Sequence, residues 1–184
     1  KIKRQPKDLD IEKMKIAVDA GHGGSNNGAS GVATNIAEKK YTLLIAKELQ
    51  KELEDEKATV FMTREDDTAL GMTERVDMIK AADPDFLISI HLNSSVKDSV
   101  NGVSTYYRYI GFKPLTQFIL DRMLELGLNE FGNVGSFNFA LSGPTEYPNC
   151  LVEVAFLSNR EDEKKILDPK FHKDVAKKIV EGIK

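Results

Sequence analysis

Two histidines and two carboxylates, each set against apolar or glycine-rich sequence, carry most of the chemistry this 184-residue chain offers. His22 lies in Gly21-His22-Gly23-Gly24, directly after the apolar run 15–20, and His91 closes the apolar run 85–91. Both imidazoles therefore fall where a strand gives way to a loop. In open α/β sheets, ligands bind beyond the carboxyl ends of the strands, so two parallel neighbouring strands would deliver His22 and His91 to one sheet edge. Glycine on either side of His22 lets backbone and ligand approach closely. The third histidine, His172, sits beside Lys173, one position off the apolar stripe of the last helix, and is expected to face solvent.

Glu38 opens a helix after a loop rich in Gly, Ser and Asn, a position the helix dipole alone favours. Glu153 lies within Leu151-Val152-Glu153-Val154-Ala155-Phe156, a run otherwise wholly apolar. A buried ionised carboxylate is costly unless it pairs or binds metal, which points to a role beyond packing. Two imidazoles and one carboxylate around zinc leave a fourth position open for water, the usual plan of a catalytic zinc site. A second carboxylate near that water takes its proton and passes it to a leaving group. From the residues alone, the chain reads as a zinc hydrolase. Asn93, two residues past His91, orients a substrate or caps the following turn.

The elements that must position these groups alternate. Strands are predicted over 15–20, 58–63, 85–91, 102–110, 137–141 and 150–156. Helices are predicted over 37–56, 72–82, 112–128 and 161–167, with a closing helix opened by Pro169. The Asp83-Pro84 pair stops the second helix. The expected fold is α/β: a single domain with a twisted, mixed, mostly parallel sheet and helices on both faces. Residues 1–14, rich in charge, read as a linker or tail, and residues 15–184 as the catalytic domain.

Composition excludes several classes. The formal net charge of -3 lacks the basic excess of a nucleic-acid binder. No apolar run approaches the roughly 20 residues that span a bilayer. Cys150 is the single cysteine, so neither an intrachain disulfide nor a cysteine-based metal site is available. The chain starts at Lys1 rather than Met, consistent with processing, so a missing leader does not bear on export.

Taken in order, IAVDAGHGG (16–24), Ala37-Glu38-Lys39, Thr63-Arg64, LGMTER (70–75), SIHLN (89–93) and PNCLVEVAFLSN (148–159) resemble the amidase-3 family of N-acetylmuramoyl-L-alanine amidases. The resemblance runs from about residue 15 to the end. It implies zinc ligands at His22, Glu38 and His91 and a catalytic glutamate at Glu153 acting on zinc-activated water. It implies that the substrate is peptidoglycan or muropeptides, cut between N-acetylmuramic acid and L-alanine of the stem peptide. Members work outside the cytoplasmic membrane, so a secreted, extracytoplasmic protein is expected, with a wall-targeting or activator domain elsewhere in it. Two positions depart from the family pattern: Ala155 replaces a frequent Gly, and Ser142 stands where a basic residue is frequent. Residues 94–101 are too few for the long blocking helix of some relatives, so an open site is expected. Arg64 and Arg75 are expected to pair with the acidic run Glu65-Asp66-Asp67 or with helix ends. Two rivals use the same residues: a zinc peptidase acting within the stem peptide, and a wall-binding module without catalysis.

Overall fold

The computed structural model describes residues 10–184. Of the expected tail, residues 1–9 lie outside the described residues. Ile11–Lys13 forms a 3₁₀ turn whose Ile11 is buried in the main core.

Among the described residues, six strands form one sheet: β1 (Lys15–Ala20), β2 (Thr59–Met62), β3 (Phe86–Asn93), β4 (Val103–Tyr106), β5 (Glu130–Val134) and β6 (Asn149–Phe156), in the order β2-β1-β3-β6-β4-β5. β2, β1, β3 and β6 run parallel, while β4 pairs antiparallel with β6 and parallel with β5. The last strand in sequence thus lies inside the sheet, between β3 and β4. β1, β3 and β6 are buried nearly throughout, which explains their continuous apolar runs.

Five α-helices among the described residues cover the sheet: α1 (Glu38–Asp55), α2 (Met72–Ala82), α3 (Lys113–Leu124), α4 (Arg160–Ile166) and α5 (Pro169–Ile183). α1, α3 and α5 pack together on one face over the larger core, which includes Val18, Ile88, Ile90, Val152 and Val154. The opposite face, carrying Ala17 and Leu87, is covered by α2 and by a 3₁₀ turn at Ala140–Ser142. Local chemistry sets the boundaries. Asp168 caps α5 by accepting from the Lys170 N–H, with Pro169 at the first helical position. Asn159 caps α4 through the Glu161 and Asp162 N–H groups. Asp83, left-handed at φ 47°, ends α2.

Two expectations are corrected. Residues 137–141 form no strand; β5 lies earlier. Glu130–Val134 is an exposed edge interrupted by Gly132, with no apolar alternation to announce it, whereas Phe137 and Phe139 alternate but pack beside the site. His172 is buried. Its Nε2 donates to the Ile166 carbonyl (2.6 Å) and its ring meets Tyr41 of α1 edge-on, because α5 packs a broader face than its strict apolar stripe.

Candidate active site

Since β1 and β3 are parallel neighbours, His22 and His91 arrive at the same end of the sheet, with ring centroids 5.1 Å apart. Glu38, at the first position of α1, reaches between them. Its Oε2 lies 3.0 Å from His22 Nε2, and its Oε1 lies 3.2 Å from His91 Nδ1. Backbone N–H groups fix the same carboxylate: Ala29 donates to Oε2 (2.8 Å) and Leu92 to Oε1 (2.9 Å). Two glycines permit the crowding. A Cβ on Gly21 would stand 2.4 Å from the His91 ring, and one on Gly28 (φ +68°) would stand 2.4 Å from Glu38 Oε2.

Among the described residues, His22, Glu38 and His91 form a group able to hold a metal ion, each offering one ligand atom within 4.8 Å of the others. The donor set of two imidazoles and one carboxylate matches zinc preferences, with one position to spare. The hydrogen bonding agrees. His22 Nδ1 donates to Asn26 Oδ1 (3.0 Å), a bond that frees Nε2 to ligate a metal in place of its contact with Glu38. His91 Nε2 is buried without a hydrogen-bond partner, an arrangement that normally costs free energy unless another ligand satisfies it.

Glu153 lies opposite His91 in the β3/β6 register and opposite Ser104 in β4, so one row of side chains crosses three strands. The ladder shifts register just past His91, between it and Asn93; bulges of this kind re-aim side chains next to active sites. Glu153 Oε2 is likewise buried and unpartnered. Burial pushes its pKa up to about 7; the charges of His91 and His22 pull against that, and Glu38 adds to it. Glu38 goes the other way. Burial alone would raise it, but hydrogen bonds from His22, His91 and the Leu92 N–H, with the charge of His91, hold it at about 2. Burial disfavours charging His91, yet its bond to Glu38 and the nearby carboxylates of Glu153, Glu38 and Asp19 raise its pKa above the ordinary histidine value. The two carboxylates of one site thus have opposed shifts, the pattern by which paired acids are set to different tasks.

Asn93 accepts from the Ser94 N–H through Oδ1 (2.8 Å) and points its Nδ2 at the Tyr106 hydroxyl (3.4 Å). Ser142 is buried in the 3₁₀ turn against Gly143. Residues 94–102 run as turns and bends without a helix, and Phe139 meets the His91 ring edge-on at 5.7 Å.

Arg64 reaches both the acidic run, through the Asp66 carbonyl, and the start of α1, through the Lys39 carbonyl, as expected, whereas Arg75 pairs with a carboxylate outside that run. Arg75, 1% exposed, pairs with Asp19 (2.6 Å) and donates to the carbonyls of Ala20 and His22. Arg64 donates to the carbonyls of Ala20, Gly21, Lys39 and Asp66. Together they grip the turn that presents His22 in the left-handed conformation, at φ 63°. Asp19 was missed by sequence reasoning, although a carboxylate inside the apolar run 15–20 gives the same signal that singled out Glu153. Its oxygens also accept from Thr63 (2.7 Å) and Ser89 (2.7 Å). Burial would raise Asp19, but Arg75, His91 and the two hydroxyls outweigh it and hold the carboxyl below the usual range. A depressed folded-state pKa stabilises at neutral pH and loses that contribution as pH falls below the ordinary carboxylate value towards the lowered one. Asp19→Asn is therefore expected to cost about 3 kcal/mol, since it strands a buried guanidinium. Urea unfolding at pH 7 and pH 3 checks this: the deficit should shrink at the lower pH.

The family profile described as N-acetylmuramoyl-L-alanine amidase matches residues 16–184. The probable cell wall amidase LytH of Staphylococcus aureus is 35% identical over 175 residues, covering 95% of this chain and 58% of that protein. The chain thus spans little more than half the length of this relative. The catalytic domain of CwlV, an N-acetylmuramoyl-L-alanine amidase from Bacillus (Paenibacillus) polymyxa var. colistinus, superposes with a TM-score of 0.86 at 32% identity, covering 92% of this chain and 96% of that one. The N-acetylmuramoyl-L-alanine amidase from Clostridium difficile 630 gives 0.89 at 30% identity, covering 94% and 95%. With nearly the whole chain matched in both sequence and fold, the protein belongs to the amidase-3 family of N-acetylmuramoyl-L-alanine amidases.

Proposed function

We propose that the chain hydrolyses the amide between the lactyl group of N-acetylmuramic acid and L-alanine of the stem peptide, using zinc held by His22, Glu38 and His91. The observation that carries this reading is the convergence of those three side chains beside the buried, protonatable carboxyl of Glu153. When bound, zinc supplies Lewis acidity, polarising a carbonyl and bringing the pKa of water down to about 7. The chain's own groups do the rest. Glu153 accepts a proton from the attacking water at Oε2 and returns it to the alanine nitrogen as the amide breaks. The Asn26 bond keeps the His22 ring turned inward, and the arginine grip on the carbonyls of residues 20–22 fixes the turn carrying it. Asn93 meets substrate through an amide hydrogen not turned towards Tyr106.

Action on the wall outside the cytoplasmic membrane is part of the same proposal, supported by the cell wall relative. No helix among the described residues is long and apolar enough to cross a membrane. Digestion of purified peptidoglycan followed by mass spectrometry tests the proposal. Free stem peptides beginning with L-alanine, together with glycan retaining its lactyl groups, are expected. Fragments cut between stem residues would instead make the chain a peptidase, and metal-free wall binding without products would make it a binding module.

A further inference from the structure

Beside the cluster, aromatic rings run from the buried ligand out to solvent. Phe139 meets His91 edge-on at 5.7 Å, Phe137 lies 6.2 Å from Phe139 with the planes only 30° apart, and Tyr106 lies 4.7 Å from Phe137. Phe137 is 37% exposed, whereas Tyr106 is buried. Antiparallel pairing sets Ser104 against Glu153 and Tyr106 against Leu151, so the wall rises from the sheet face that carries Glu153. The platform is anchored. The Phe137 N–H donates to the Tyr107 carbonyl (3.2 Å), Ser136 is held left-handed at φ 59°, and a Cβ on Gly135 would stand 2.6 Å from the Tyr107 hydroxyl. The Tyr106 hydroxyl is braced by Ser104 (3.3 Å) and Asn93 (3.4 Å). An exposed ring on so fixed a base matches a ligand platform better than incidental surface.

We propose that Phe137, backed by Phe139 and Tyr106, is the subsite for the sugar side of the substrate, stacking against the C–H face of a pyranose. This rests on the hydrolysis proposed above, which puts a sugar on one side of the cut bond and a peptide on the other. The wall's chemistry selects between them. Residues 135–140 read Gly-Ser-Phe-Asn-Phe-Ala and carry no charge. A stem peptide bears carboxylates that ask for cationic partners. A pyranose presents an apolar C–H face, which suits an aromatic ring, and hydroxyls at its edge, which suit Ser136 and Asn138.

The chain has no tryptophan, so Phe137→Trp places a single indole emitter on the wall. Titration with the N-acetylglucosaminyl-N-acetylmuramic acid disaccharide should give a saturable change in its emission, and free stem peptide should give none. A response to the peptide alone, or to neither, overturns the subsite. This reading needs no turnover, so it stands apart from failure of the hydrolysis itself, which would show as no product from any substrate. In kinetics, Phe137→Ala should lower the preference for disaccharide-linked peptide over a lactoyl peptide lacking sugar by about tenfold, the factor equivalent to ~1.4 kcal/mol. Phe137→Tyr should restore that preference. An unchanged preference in the alanine variant also overturns the proposal.

Discussion

Glu153→Gln is expected to lower the release of stem peptides by roughly 10³-fold, in the range that a positioned proton carrier contributes, while leaving the metal in place. Gln matches the carboxylate in shape but can neither accept the water's proton nor return one to the leaving nitrogen. The metal is spared because Glu153 lies opposite His91 across the ladder and is not among the three converging ligand groups. The same substitution separates a chemical role from a structural one. With its pKa raised to about 7, Glu153 favours the fold below the ordinary carboxylate range and loses that contribution as pH climbs through about 7. Removing the ionisable group should therefore leave the melting temperature at pH 8 equal to or above that of the parent. Release of stem peptides followed by chromatography, elemental analysis and a melting curve on one sample decide the matter. Full activity in the variant would remove Glu153 from the mechanism.

His22→Ala should fail earlier in the sequence of events, at metal retention. His22 is the most accessible of the three ligand candidates, with a side chain 23% exposed against 9% for His91 and 4% for Glu38, so its loss disturbs packing least. Its removal takes away one of two imidazoles and leaves the buried Glu38 carboxylate without one of its partners. Partners outside the metal's own ligands typically carry about 10–100-fold in affinity or activity, and loss of a ligand should exceed that. The expected result is zinc below stoichiometry after dialysis, with peptide release down by well over 10²-fold and little change in far-UV circular dichroism. Retained stoichiometric zinc would take His22 out of the site.

What could be read from the sequence follows from what burial does to residue choice. β3 and β6 announce themselves because a sheet covered on both faces demands unbroken apolar runs, so a lone carboxylate inside one stands out. α5 is legible from Pro169 and its stripe, yet the fate of His172 is not, because a helix packed against both α1 and α3 buries more than its apolar positions. β5 is illegible for the converse reason: an exposed edge places little demand on side chains. At the site, a ligand pair at two strand ends is readable only conditionally, because chain order does not say which strands are neighbours. The Asp19-Arg75 pair and the aromatic wall depend on that same pairing, and nothing local in the sequence joins Asp19 to position 75 or Phe139 to position 91.

Because β6 comes last in sequence yet lies between strands made long before it, a chain that has not reached residue 149 lacks the strand joining β2-β1-β3 to β4-β5. Until residues 149–156 slot in, Glu153 does not stand opposite His91, and the ladder that aligns the imidazoles has an open flank. Assembly of the site thus waits on the last strand made. A chain ending at Pro148 should show no cooperative unfolding transition and no peptide release, whatever zinc is supplied.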